Sequence, residues 1–237
     1  MSALPSHSKP MLISFSGIDG AGKSTQIELL CAHLLSSNLR IKRLAFWDDV
    51  AVLKKYRDTA SHTLFGSERG IGEPGKPVER RDKNVQSWYM TVVRFGLYFL
   101  DAISLTLVAA RARREPVDVI VFDRYAYDEL ANLSSRNFFV RLYVKFLLAI
   151  VPKPDVAYIL DADPEKARER KPEYPVDFLR VCRSSYTGLS KIGGLTLIAP
   201  GSVEDVANQI LREFRKASTG GIDCDLRPSE ELGRSTL

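Results

Sequence analysis

Gly17-Ile18-Asp19-Gly20-Ala21-Gly22-Lys23-Ser24-Thr25 is the stretch from which the fold can be read. It satisfies G-x-x-x-x-G-K-[ST], a glycine-rich loop whose backbone N–H groups surround phosphate oxygens. The sequence on both sides agrees. Residues 11–15 form an apolar run that predicts a strand entering the loop. Ile27, Leu30, Cys31, Leu34 and Leu35 recur at helical spacing after it. A helix beginning near Lys23 aims its N-terminal N–H groups and positive dipole end at the same anion. The pattern assigns Lys23 to the β- and γ-phosphates of a nucleoside triphosphate and the Ser24 hydroxyl to Mg²⁺, with Gly17, Asp19, Gly20, Ala21, Gly22 and Thr25 completing the cradle.

Working outward, residues 41–46 read as a second strand followed at once by Trp47-Asp48-Asp49. Residues 67–84 are broken by Gly70, Gly72, Pro74, Gly75 and Pro77, which predicts a mobile surface loop. A long helical pattern rich in aromatics covers 85–114. Residues 118–123 are a continuous apolar run ending in Asp123, the pattern of a parallel strand buried on both faces. Two helical segments extend to Ile150, and residues 155–161 form a fourth strand. Pro164 opens a short helix, and a Pro-punctuated turn at 172–175 leads into a helix over 176–190. Residues 195–198 are a fifth strand and 203–216 the last helix. Strands alternating with helices mean a parallel sheet covered on both faces, a three-layer α/β/α P-loop NTPase fold with five strands. The expected organisation is a disordered leader over 1–10, one domain over 11–216 with a lid near 164–180, and a disordered tail over 217–237.

Composition bounds the rest. The chain of 237 residues is 45% hydrophobic and 27% charged, ordinary values for one large globular domain. Its net charge of +5 comes without a basic block interleaved with aromatics, so no nucleic-acid partner is expected. Cys31, Cys182 and Cys224 are widely spaced, fit no disulfide or metal framework and indicate a reducing cytoplasm. The most apolar stretches, 95–110 and 137–151, carry Asp101 and Arg141 with Lys145 and fall short of ~20 uninterrupted apolar residues, so no membrane span is expected. His7, His33 and His62 form no catalytic group.

In sheets of this kind, sites lie at the carboxyl ends of the strands. That rim gathers Gly17–Thr25, Asp48 with Asp49, and Asp123 with Arg124. Asp123 stands where a carboxylate holds Mg²⁺ directly or through water. Arg124 can clamp a phosphate bidentately. Arg168, Arg170 and Lys171 occupy the lid helix, where arginines can neutralise charge that develops during phosphoryl transfer.

Taken together these residues resemble the nucleoside monophosphate kinases, thymidylate kinase most closely. Residues 17–25 match that family's loop nearly letter for letter, Asp19 included. Phe122-Asp123-Arg124-Tyr125 is similar to its Asp-Arg-Tyr motif, and Ile159-Leu160-Asp161 with Pro164, Arg168 and Arg170 to its strand and lid entry. The resemblance spans about 11–212 and implies an ATP- and Mg²⁺-dependent kinase of a nucleotide acceptor, with Lys23, Arg124, Arg168 and Arg170 as catalytic residues. It places Asp19 and Tyr98 or Phe99 at the acceptor; Ala102 or Ile103 stands where the family's partner arginine falls, and Arg94, two turns earlier, is the candidate substitute. It also leaves the apolar surface of 95–110 open to two readings, a homodimer interface or the core.

The acceptor half departs from the pattern. Where the family has Arg-Glu-Pro after the second strand, this chain has Trp47-Asp48-Asp49. Where it has Ser and then Ala-Tyr-Gln after Asp-Arg-Tyr, this chain has Asp128 and Ala131-Asn132-Leu133. Two further readings follow. Asp48 or Asp49 could act as a base toward the hydroxyl of a nucleoside or other small alcohol. Alternatively, the chain could bind nucleotide as a regulatory protein without turning it over.

Overall fold

The computed structural model describes residues 9–52, 88–131, 133 and 138–218, with only the backbone described at 88–91. Its five strands are β1 (Met11–Ser16), β2 (Ile41–Ala45), β3 (Val119–Asp123), β4 (Val156–Leu160) and β5 (Thr196–Ile198). Among the described residues, seven α-helices connect and cover them: α1 (Lys23–Ser36), α2 (Trp88–Ala112), α3 (Ala126–Leu130), α4 (Phe138–Ile150), α5 (Pro164–Arg170), α6 (Val176–Gly193) and α7 (Val203–Ser218). All strand pairs are parallel, in the order β2-β3-β1-β4-β5. The five-stranded parallel sheet expected from the alternation of patterns is therefore present. The leader to residue 8, the loop at 67–84, the start of the long helical pattern at 85–87, Asn132 and the tail from 219 lie outside the described residues.

Alternation along β1 sorts the core into two layers. Ile13 and Phe15 face α1 and α7, where Ile27, Leu30, Leu34, Tyr158 and Phe214 close the packing. Leu12 joins Ile120, Phe122, Leu105 and Leu147 on the other side, beneath α2, α3, α4 and α6. Full burial of each such side chain contributes roughly 1.5–3 kcal/mol. The Tyr158 hydroxyl donates to the Ile210 carbonyl at 2.9 Å, so this aromatic enters the core with its polar end satisfied.

Helix ends follow local chemistry. Asp163 caps α5 by accepting from the Lys166 N–H at 3.0 Å, with Pro164 at the first helical position. Gly194, at φ 62°, stops α6 three residues later than the 176–190 pattern suggests. β2 also differs from its expected span. It ends at Ala45, and Phe46–Val50 forms a π-helical turn closed by Ala51 N–H donating to the Phe46 carbonyl at 2.8 Å. The Asp49 carboxylate drives this by accepting from the Ala45 N–H at 2.7 Å. The turn buries Phe46 and Val50 together and leaves Asp48 and Asp49 exposed between them.

Within α2, Val92–Ala112 is long and apolar enough to cross a membrane by length and composition, which the count of uninterrupted apolar residues did not suggest. It packs instead on the sheet through Ala102, Leu105 and Ala109. Asp101, fully buried in the same face, accepts from the Val52 N–H at 2.6 Å.

Candidate active site

The carboxyl ends of β1, β2, β3 and β4 meet at one rim. The loop after β1 turns tightly, with Ala21 N–H donating to the Ile18 carbonyl at 3.2 Å. Two of its glycines are required by what surrounds them. A Cβ on Gly17 (φ 144°) would lie 2.6 Å from the Leu160 carbonyl oxygen. One on Gly20 (φ 83°) would lie 2.1 Å from that of Ala167. The loop is thus pressed between β4 and α5, backbone against backbone.

Lys23 is buried at the start of α1, and its Nζ donates to the Gly17 and Ile18 carbonyls at 2.8 and 2.9 Å. Burial, aided by the charge of Arg124, lowers its pKa from 10.5 to about 8 against the pull of Asp19, Asp128 and Asp123. The folded state therefore holds this proton less firmly than the unfolded chain. That penalty is fully present below about pH 8 and is relieved as the pH rises toward 10.5. Ser24 and Thr25 are exposed on the first turn of α1. Asp123 ends β3, in register with Phe15 on one side and Ala45 on the other.

Arg124 has a left-handed backbone, φ 68°, rare for a residue with a side chain. Its N–H still donates to the Phe15 carbonyl at 2.9 Å, so the turn comes at the last point of contact between β3 and β1. The guanidinium pairs through Nη2 with Asp19 in the loop and through Nη1 with Asp128 on α3, at 3.2 Å. Burial opposes its charge, but Asp19 and Asp128 outweigh burial and hold its pKa above the ordinary arginine value.

The two arginines of α5 part company. Arg170 donates to the Gly20 carbonyl at 3.0 Å and so reaches the loop. Arg168 donates to the Tyr174 carbonyl at 2.6 Å and braces the turn between α5 and α6. Asp48 stands exposed on the π-helical turn, while Asp49 is engaged in capping it. Arg94 and Tyr98 lie half-buried on α2, Tyr98 against the core. Phe99 is on the outer face instead, stacked on Phe146 of α4 with ring centroids 6.1 Å apart. Successive helical residues are about 100° apart, so Tyr98 and Phe99 face different sides of α2.

The chain resembles known proteins in sequence and in fold. No family model matches the chain. The probable thymidylate kinase of Archaeoglobus fulgidus is 26% identical over 210 residues, 84% of this chain and 92% of that protein. The probable thymidylate kinase of Methanocaldococcus jannaschii is 27% identical over 212 residues, 85% and 94% of the two chains. The thymidylate kinase structure from Candida albicans superposes with a TM-score of 0.56 at 17% identity, covering 88% of this chain and 93% of that one, which shows the shared fold. The chain is similar to thymidylate kinases in sequence over most of its length and shares their P-loop α/β fold.

The thymidylate kinase-like site contains residues that sequence patterns did not single out for function. Asp128 is almost fully buried and accepts from Ser16 Oγ at 2.6 Å and from the Tyr186 hydroxyl at 2.8 Å. Burial first, then the Asp128 charge, pushes the Tyr186 pKa well above its ordinary value. Arg183 grips Asp161 at the end of β4 through two hydrogen bonds of 2.6 Å. The only sequence signal for Asp128 was its departure from the family's serine. For Tyr186 and Arg183 there was none beyond their place on the helix after α5.

Proposed function

We propose that this chain is a cytoplasmic, ATP- and Mg²⁺-dependent kinase that transfers the γ-phosphate of ATP to a nucleoside monophosphate, with thymidylate the first candidate. One observation carries the reading: a buried lysine in a polyphosphate cradle and a carboxylate-held arginine share the same mouth. Its support is the alignment with thymidylate kinases over most of the chain. An acceptor phosphate is already anionic and needs no base, only positioning and neutralisation of charge. Lys23, Arg124 and Arg170 each bring positive charge to the loop, at Gly17, Asp19 and Gly20.

The described residues hold no cluster of three or more His, Cys, Asp or Glu that could cage a metal. That suits Mg²⁺, which keeps water and phosphate oxygens as ligands and takes only one or two groups from protein. Ser24 and Asp123 are the residues that would hold it. When bound, the ion neutralises phosphate charge and orients the transferring group. A second copy of the chain would seat on the outer face of α2 and α4, where Leu100, Ile103, Leu107, Leu142 and Phe146 are exposed.

The test is ATP with a panel of nucleoside monophosphates and free nucleosides, read by ADP release and product chromatography. Thymidylate or another monophosphate is expected to be the acceptor. Phosphorylation of nucleosides alone would overturn the reading in favour of a base at Asp48, and tight ATP binding without turnover would leave a regulatory protein.

The Lys23 pKa adds a pH dependence. Bound phosphates must restore its proton, so ATP affinity is expected to fall about tenfold per pH unit above pH 8. Calorimetry in buffers of different ionisation enthalpy would record proton uptake on binding. An affinity that stays flat to pH 9.5 would contradict the expectation.

A further inference from the structure

The reading above uses Arg124 but leaves its surroundings unexplained. At least four donors reach Asp128: Ser16 Oγ at 2.6 Å, the Tyr186 hydroxyl at 2.8 Å, and Arg124 Nη1 and the Tyr125 N–H at 3.2 Å each. They arrive from the end of β1, the helix α6 beyond the lid, and the residues entering α3. A carboxylate has about four acceptor positions. Asp128 is therefore saturated and held by three separate parts of the fold. Asp19, the other partner of Arg124, sits on the loop between β1 and α1. The guanidinium thus has one anchor built into the core and one on a glycine-flanked loop.

From this asymmetry we infer that Asp128 and Tyr186 are positioning residues for Arg124. Asp128 keeps Nη1 in place while Nη2 exchanges Asp19 for an anionic group of the acceptor. The inference rests on the proposed phosphoryl-transfer role of the site. Three features support it. The left-handed backbone of Arg124 directs its side chain over the loop, a conformation that persists only where the surroundings enforce it. One arginine faces two carboxylates, so exchanging Asp19 for an acceptor phosphate leaves the cation neutralised throughout. Tyr186 lies on the helix that follows the lid, while α5 touches Gly20 through Arg170 and Ala167. The position of the lid helices and the aim of Arg124 are therefore set by one connected group of contacts.

Asp128→Asn keeps the shape and removes the charge; Tyr186→Phe removes only one donor. Both variants are compared with the unaltered protein by steady-state kinetics and by ¹⁵N-arginine NMR, with Arg124→Lys used to assign the Arg124 side-chain signal. Losing a hydrogen bond between charged partners is expected to raise the acceptor KM at least ~10-fold in Asp128→Asn, and losing the phenol to raise it a few-fold in Tyr186→Phe. The KM for ATP should stay within about twofold of the unaltered protein in both. The Arg124 signal should move toward that of a solvent-exposed arginine in Asp128→Asn. A general structural role would move both KM values together, and that result, or unchanged kinetics, overturns the inference. If the unaltered protein phosphorylates no acceptor, the kinase reading fails by itself. In that case the NMR arm still decides the clamp, and an Arg124 signal unmoved in Asp128→Asn rejects it.

Discussion

Gly20→Ala is expected to abolish useful turnover and to loosen α5 from the loop at the same time. The added methyl would lie 2.1 Å from the Ala167 oxygen, 2.8 Å from its carbonyl carbon and 3.0 Å from its Cα. All three are backbone atoms, so no side-chain rotation relieves the overlap. The residue also sits at φ 83°, which alanine adopts only with strain. Either α5 lifts off the loop or the loop deforms beneath it, and either breaks the hydrogen bond from Arg170 to the Gly20 carbonyl. Overlap and strain together are expected to cost about 3 kcal/mol. For a domain of this size that lowers Tm by roughly 6–12 °C. Displacing the cradle by about 1 Å is enough to reduce kcat/KM for ATP at least ~10²-fold. Thermal melts and ATP-dependent turnover would check both halves. Wild-type ATP kinetics in the alanine variant would mean that α5 and the loop are not in contact in solution.

Lys23→Met should separate activity from stability. The lysine holds its charge against the loop carbonyls of Gly17 and Ile18, and removing it is expected to lower kcat about 10²–10³-fold. Its depressed pKa means the folded chain below pH 8 bears the cost of a buried ammonium. The drop from 10.5 to about 8 corresponds to about 3 kcal/mol of that cost at neutral pH, offset in the variant by loss of the bonds to Gly17 and Ile18. Methionine has a similar length and no charge, so Tm should hold or rise while turnover collapses. A variant that melts several degrees lower would show that Lys23 holds the loop together more than it strains it.

Legibility in the sequence tracked the distance over which each feature is determined. The cradle was readable because nine consecutive residues carry it, with a strand before and a helix after. Asp123 was readable because a buried parallel strand that ends on a carboxylate is itself a local pattern. The phase of α2 was not. Tyr98 and Phe99 are adjacent in sequence, and only packing against the sheet turns one to the core and the other to Phe146. The π-helical turn was hidden because it depends on where one carboxylate reaches, that of Asp49 to the Ala45 N–H. Asp128 and Tyr186 are 58 residues apart, and Asp128 and Ser16 are 112 apart. No periodicity links such positions, so the Arg124 anchor emerged only with the fold.

The turn after β2 has a consequence for how this pocket can change. Phe46 and Val50 are fixed in the core, and Trp47, Asp48 and Asp49 span the gap between them in a ring one residue wider than an ordinary helical turn. Dropping one of the three would leave both anchors seated and the sheet untouched, yet would rotate the remaining pair by about 100° around the turn. This side of the rim can therefore be re-aimed by a single-codon deletion or insertion. Here length, as much as residue identity, decides which side chain the rim presents.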